Sequence, residues 1–141
     1  MPPQPQTLAE TLRVIRIVHV ALALFIVLYV VAIEGVLVPA AHLLSQTFYE
    51  GIAIVALLCI GAAFVVRYRT LRPALETLRT NPVDAASHKG WRAGSLISFA
   101  LAIAVVMFGG ELRKAGASPA QAAPFYVVGS ALILLWWPRH P

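Results

Sequence analysis

The run RYRTLRPALETLRTNPVDAASHKGWR occupies residues 67–92, between two long apolar halves, and carries six of the chain's 11 Lys and Arg residues. Basic residues that border long apolar segments, instead of lining one face of a polar fold, act as orientation signals for membrane helices. The run therefore implies an all-α, integral membrane four-helix bundle built from two helical hairpins, with residues 70–90 as the joint between them. Within it Leu71, Leu75 and Leu78 recur at i, i+4 and i+7, which places them on one helical face. That face is expected to lie on the membrane surface as an amphipathic extension. Arg67, Arg69, Arg72, Arg79, Lys89 and Arg92 are then expected to meet phosphates of anionic lipid, at about 1 kcal/mol for each basic residue. Asn81 followed by Pro82 carries helix-start chemistry, with Asn as cap and Pro in the first helical position, so a short helical piece is expected before Gly90.

Composition narrows the alternatives. The 141 residues are 60% hydrophobic and 12% charged, against about 45–50% and about 25% in soluble domains. One cysteine, Cys59, lies in an apolar run, so neither an internal disulfide nor a cysteine-based metal cluster can form within one chain. Thiol oxidoreductases that need cysteine pairs are excluded. The net charge of +5 does not form the clustered basic face of a nucleic-acid binder. Paired catalytic carboxylates, a glycine-rich phosphate loop, a His-Glu zinc motif and a Ser-centred elbow are not found in the sequence. The expectation is a non-enzymatic protein with no cofactor and no metal.

In chain order, the Pro-rich MPPQPQT of residues 1–7 reads as a disordered tail, with Thr7 and Glu10 forming a capping box at its end. The first span covers residues 8–40. Glu34 lies about 27 Å beyond Arg16 along a helix, which puts it near the far interface, and Pro39 ends the crossing. A signal peptide with Arg13 and Arg16 as its basic region is the competing reading, but the apolar stretch is longer than such segments carry. The second span is 47–69, opened by a Thr47–Glu50 capping box and bordered by Phe48, Tyr49, Arg67 and Arg69 as interface anchors. The third is 91–114, where Gly94, Ser98 and Ala102 share a face suited to close helix packing. The fourth is 119–138, with a Ser118–Gln121 capping box, Pro119 in the first turn, and Trp136, Trp137 and Arg139 at its close.

Placing both termini and the central joint on one side collects nine of the eleven basic residues there and leaves Arg113 and Lys114 opposite. By the positive-inside bias that side is the cytoplasm of a cell membrane. Ala21-Leu22-Ala23-Leu24 aligns with Ala100-Leu101-Ala102-Ile103, and the register carries on to Val27 with Val106 and Tyr29 with Phe108, as a duplicated hairpin would show. Two fused hairpins, with an Ala-Leu-Ala run leading to Phe108-Gly109-Gly110, resemble the duplicated proteolipid (c-type) subunits of rotary ATPases. The resemblance implies the hairpin fold. In that family a buried carboxylate ahead of the aromatic-Gly pair carries the ion; here Ile103 and Ala104 stand in its place, so the resemblance does not bring ion transport with it.

Individual polar residues each have a local explanation except one. Glu10 and Glu50 complete capping boxes. Glu76 can pair with Arg72 or Arg79, and Glu111 with Lys114. His19 reads as a lone interfacial histidine, since a haem would need a second histidine at similar depth. Glu34 has no local partner. It either marks the water boundary of the first span or joins His42 in an outer proton or cation site. Two functions follow from these readings. One is a structural or accessory subunit that packs with other membrane helices, as a homo-oligomer or within a larger complex, and presents its basic joint to anionic lipid. The other is an oligomeric transporter or channel component with Glu34 near its outer mouth.

Overall fold

The structure, a computed structural model, describes residues 8–36 and 44–138. The tail 1–7 with its Thr7 cap, the end of the first span at Pro39, the connection that includes His42, and Arg139 lie outside the described residues. Among the described residues five α-helices follow one another: α1 Leu8–Val36, α2 Gln46–Val66, α3 Arg72–Thr80, α4 Ala85–Lys114 and α5 Pro119–Leu135. A π-helical segment, Arg67–Leu71, splices α2 to α3. The Arg72 N–H bonds the Arg67 carbonyl, one residue wider than an α-turn. Pro73 follows directly; it has no N–H to offer and its ring crowds the preceding turn, which the wider π-turn accommodates.

α1, the spliced Gln46–Thr80 helix and α4 are long and apolar enough to cross a membrane, while α5 has 17 residues. At 1.5 Å per residue α5 is about 25 Å long, a little under a hydrocarbon core of about 30 Å. α4 is the centre of the bundle, touching α1, α2, α3 and α5.

The pairing differs from two hairpins in series. Among the described residues α1 and α2 make no extensive contact with one another; both lean on α4. The helical hairpins are instead α2–α3 against α4, and α4 against α5. In the first of these, a β-carbon at Gly90 would sit 3.5 Å from Ala74 Cβ, and one at Gly94 3.2 Å from Leu71 Cβ, so small residues let the antiparallel backbones approach. The joint of residues 70–90 is thus the tip of a hairpin, and its only non-helical part is Asn81–Asp84. Leu71 and Leu78 are buried and Leu75 packs against the same core. This corrects the expectation of a leucine face on the membrane surface: α4 extends below Gly90 to Ala85 and supplies an apolar partner, including buried Trp91, within the chain.

Helix ends show which caps form. α5 begins with the full Ser118–Gln121 capping box and Pro119 in its first turn. α4 closes in a Schellman turn, with Ala117 N–H on Leu112 O and Gly116 N–H on Arg113 O, and Gly116 takes the positive φ of 98° that this turn requires. The Thr47–Glu50 box does not form. Ser45 is the N-cap of α2, without a side-chain bond, and Glu50 accepts instead from the Gln46 amide. Asn81 is likewise not an N-cap but the C-cap of α3, because that helix runs on to Thr80. Asp84 caps α4, accepting from the Ser87 N–H at 2.7 Å. Hydrogen bonds from the Ser87 side chain and backbone hold the Asp84 carboxyl below its ordinary range.

Candidate functional site

α1 and α4 run side by side in one direction, so residues 77 to 79 apart face each other along their length. Three polar contacts mark this seam. At one end Thr11 meets His88 Nδ1 at 3.1 Å while His88 Nε2 lies 2.8 Å from the Pro82 carbonyl. A carbonyl can only accept, so Nε2 carries a proton, and in the neutral ring Nδ1 then accepts from the Thr11 hydroxyl. His88 thereby ties α1, α4 and the Asn81–Asp84 turn together, a role its position outside the expected spans did not suggest. Toward the other end, the Tyr29 hydroxyl approaches the Met107 carbonyl at 3.4 Å.

At the other end stands Glu34. The Arg113 Nε donates to both of its carboxylate oxygens, at 2.8 and 3.0 Å, and the Tyr126 hydroxyl donates to Oε1 at 3.2 Å. Arg113 Nη1 also donates to the Ala117 carbonyl in the Schellman turn. Arg113 is 7% exposed and Glu34 29%, so the pair is shielded on the Arg side and wetter on the Glu side. Gly109 and Gly110 make room for it: a β-carbon at Gly109 would lie 2.6 Å from the Tyr126 ring, and one at Gly110 would collide with Tyr29. The carboxylate that the sequence leaves without a local partner is thus neutralised from α4 and α5. Its supposed companion His42 lies outside the described residues. Glu111 pairs with Lys114, and Glu76 with Arg72, as their spacing predicts.

His19, expected as a lone interfacial histidine, is packed inside the chain. It is fully buried, both ring nitrogens lack a hydrogen-bond partner among the described residues, and its ring meets Phe99 and Trp137 edge-to-face, each at 4.9 Å. Aromatic edges stand where hydrogen bonds are usual, and an unsatisfied buried group of this kind costs about 1–3 kcal/mol. Among the described residues no three His, Cys, Asp or Glu side chains gather as a metal site would need.

Gly94, Ser98 and Ala102 are all buried, and their face is occupied by the chain's own elements. Gly94 abuts Leu71, and the Ala102 carbonyl would be 2.8 Å from a β-carbon at Gly129 of α5.

The basic residues divide. Arg69, Arg79 and Lys89 are exposed, Arg92 is half-buried, and Arg72 bonds Glu76. Arg67 is half-buried with its guanidinium 4.7 Å from the centre of the Trp136 ring. Between the α2–α3 splice, α4 and the end of α5 opens a cleft of 310 Å³ whose walls include Arg67, Arg79, Trp91, Ser95, Trp136 and Trp137. All three tryptophans of the chain line it. The sequence puts Trp136 and Trp137 at the close of the fourth span but does not bring them to one cavity with Trp91. A second groove of 230 Å³ between α2, α4 and α5 is apolar apart from Tyr49.

No protein-family profile, curated protein or solved structure matches the chain.

Proposed function

We propose that this chain is a multi-pass protein of the cell membrane that acts as a non-enzymatic structural or accessory subunit, with its basic end and both termini in the cytoplasm and its outer helices packed against other membrane helices. The observation that carries the reading is the contrast between α4 and α2. Half of α4's apolar window is buried inside the chain, but only 11% of the window in the Gln46–Thr80 helix is. In α2 only Ala56 and Ala63 are buried, while Ile54, Leu57, Leu58 and Val65 point outward. Such a face is at home in lipid or against another apolar helix. The ionisable groups at the Glu34 end are spent on locks within the chain, as a scaffold uses them.

The alternative, passage of protons or cations at Glu34, has Arg113 against it, since a guanidinium bonded to both carboxylate oxygens repels a second cation there. Native mass spectrometry of the detergent-solubilised protein, together with flux measurements in proteoliposomes, separates the two. The accessory reading expects a defined homo-oligomer or a co-purifying membrane partner, no flux, and unchanged assembly in Glu34→Gln. A proton or cation flux that disappears in Glu34→Gln would replace it.

A further inference from the structure

We propose that the cleft between the α2–α3 splice, α4 and the end of α5 is a binding site for an amphiphile with a phosphate head group, held by Arg67 and Arg79 with its apolar tail along the tryptophan wall. The inference rests on reading the basic end as a membrane interface and adds to it a defined site with defined chemistry.

The cleft brings together what such a ligand needs. Two guanidiniums, Arg67 and Arg79, line it, and among the described residues it has no carboxylate in its walls. Neither arginine is in an ion pair among the described residues, so their charge is available to an anion. Guanidinium groups present forked donors that match phosphate oxygens two at a time. Ser95, 3% exposed, lines the same cleft, and a serine hydroxyl can donate to a phosphate oxygen.

The remaining wall is apolar and aromatic: Leu71 and Leu135 join the three indoles. Tryptophan is enriched where head groups meet hydrocarbon, because its ring is apolar while its N–H keeps a polar contact. A free phosphate would use the arginines and leave that wall idle. A neutral lipid would use the wall and leave two cations without an anion. The combination selects a molecule with both parts, and the position of the cleft at the ends of α2 and α5 opens it to a lipid of the adjoining leaflet.

The test uses the full chain in a non-ionic detergent and reads the fluorescence of its three tryptophans, all of them in the cleft. Dioctanoyl phosphatidic acid is titrated against dioctanoylglycerol, which lacks the phosphate, and against inorganic phosphate, which lacks the tail. Native mass spectrometry counts the bound molecules. The proposal expects saturable change with the phosphatidic acid at one molecule per chain. Losing a charge-assisted contact in Arg67→Gln or Arg79→Gln should weaken binding by about tenfold or more, with Arg69→Gln within about twofold of the parent. Arg79 is exposed, so its variant keeps the fold, and circular dichroism checks this for both.

Equal saturation by dioctanoylglycerol overturns the proposal, as does inorganic phosphate binding as tightly as the lipid. Equal losses in Arg69→Gln and Arg79→Gln overturn it too, by showing diffuse surface charge in place of a site. The orientation reading fails separately: if labelling puts the basic end outside the cell, saturable binding in detergent still stands and only the leaflet changes.

Discussion

Glu34 and Arg113 are 79 residues apart, and no window of sequence that treats helices one at a time would join them. The clue was nevertheless present. The offset that aligns Ala21-Leu22-Ala23-Leu24 with Ala100-Leu101-Ala102-Ile103 is also 79, and it is close to the register in which α1 lies beside α4. Alignment of two segments does not say that they touch, so the register became a contact only in the fold. Removing one partner of a shielded pair leaves the other charge uncompensated, a loss of about 3–5 kcal/mol when both are buried. Glu34 keeps partial access to water, so Arg113→Ala, which strands that carboxylate, should cost less, about 2 kcal/mol. Glu34→Ala strands the 7%-exposed guanidinium and should cost about 3 kcal/mol, and the double variant should fall short of the sum by about 1–2 kcal/mol. Reversible unfolding in mixed detergent measures all three. Strict additivity would mean that the pair contributes nothing to the fold.

Among the helices, the glycines of one chain divide into two kinds that composition cannot tell apart. Gly61 in α2 has open space where a β-carbon would go, while at Gly129 in α5 a β-carbon would meet Val106 and come within 2.8 Å of the Ala102 carbonyl. Backbone cannot swing aside as a side-chain tip can, so Gly129→Ala must push α5 away from α4. It should destabilise by about 1–3 kcal/mol. Gly61→Ala should be neutral or stabilise by up to about 1 kcal/mol through helix propensity. The same unfolding assay compares them, and equal effects would contradict the close α4–α5 packing. The capping patterns teach a related lesson. Of the two S/T-x-x-E/Q boxes that fall among the described residues, Ser118–Gln121 forms and Thr47–Glu50 does not. Gly116 and the Schellman turn direct the chain into α5 at Ser118, while α2 has already begun at Gln46 when the chain reaches Thr47.

Across the whole molecule, charge is partitioned between the two ends of the bundle. The seam of α1 with α4 and the antiparallel course of α2–α3 and α5 gather Arg13, Arg16, Arg67, Arg69, Arg72, Arg79, Lys89 and Arg92 at one end, where Arg16 also reaches the Pro138 carbonyl at 3.4 Å. Arg113 and Lys114 lie at the other. If the positive-inside bias governs insertion, a cysteine at exposed Asn81, introduced as Asn81→Cys in a Cys59→Ala background, should resist a membrane-impermeant maleimide in intact cells and react after permeabilisation. Labelling of intact cells would invert the orientation proposed above. Ser87, deeper in the joint, is a poorer reporter because its backbone and side chain engage Asp84.

The class of the protein is legible in contiguous sequence: an all-α chain whose helices are apolar over lengths that match a bilayer, with its basic residues sorted to alternate connections. Length, hydropathy and local charge are properties of contiguous residues, so they can be read without knowing who neighbours whom. It took the packed bundle to show that α1 and α2 both lean on α4, that the leucines of the joint face α4, that Glu34 is answered by Arg113 and Tyr126, and that three tryptophans and two arginines share one cleft. Nearly every face of these helices is apolar, so hydrophobic periodicity does not say which face packs. The choice falls to close approach at Gly90, Gly94 and Gly129 and to the matching of polar groups at equal depth, and both depend on helices that are far apart in the chain.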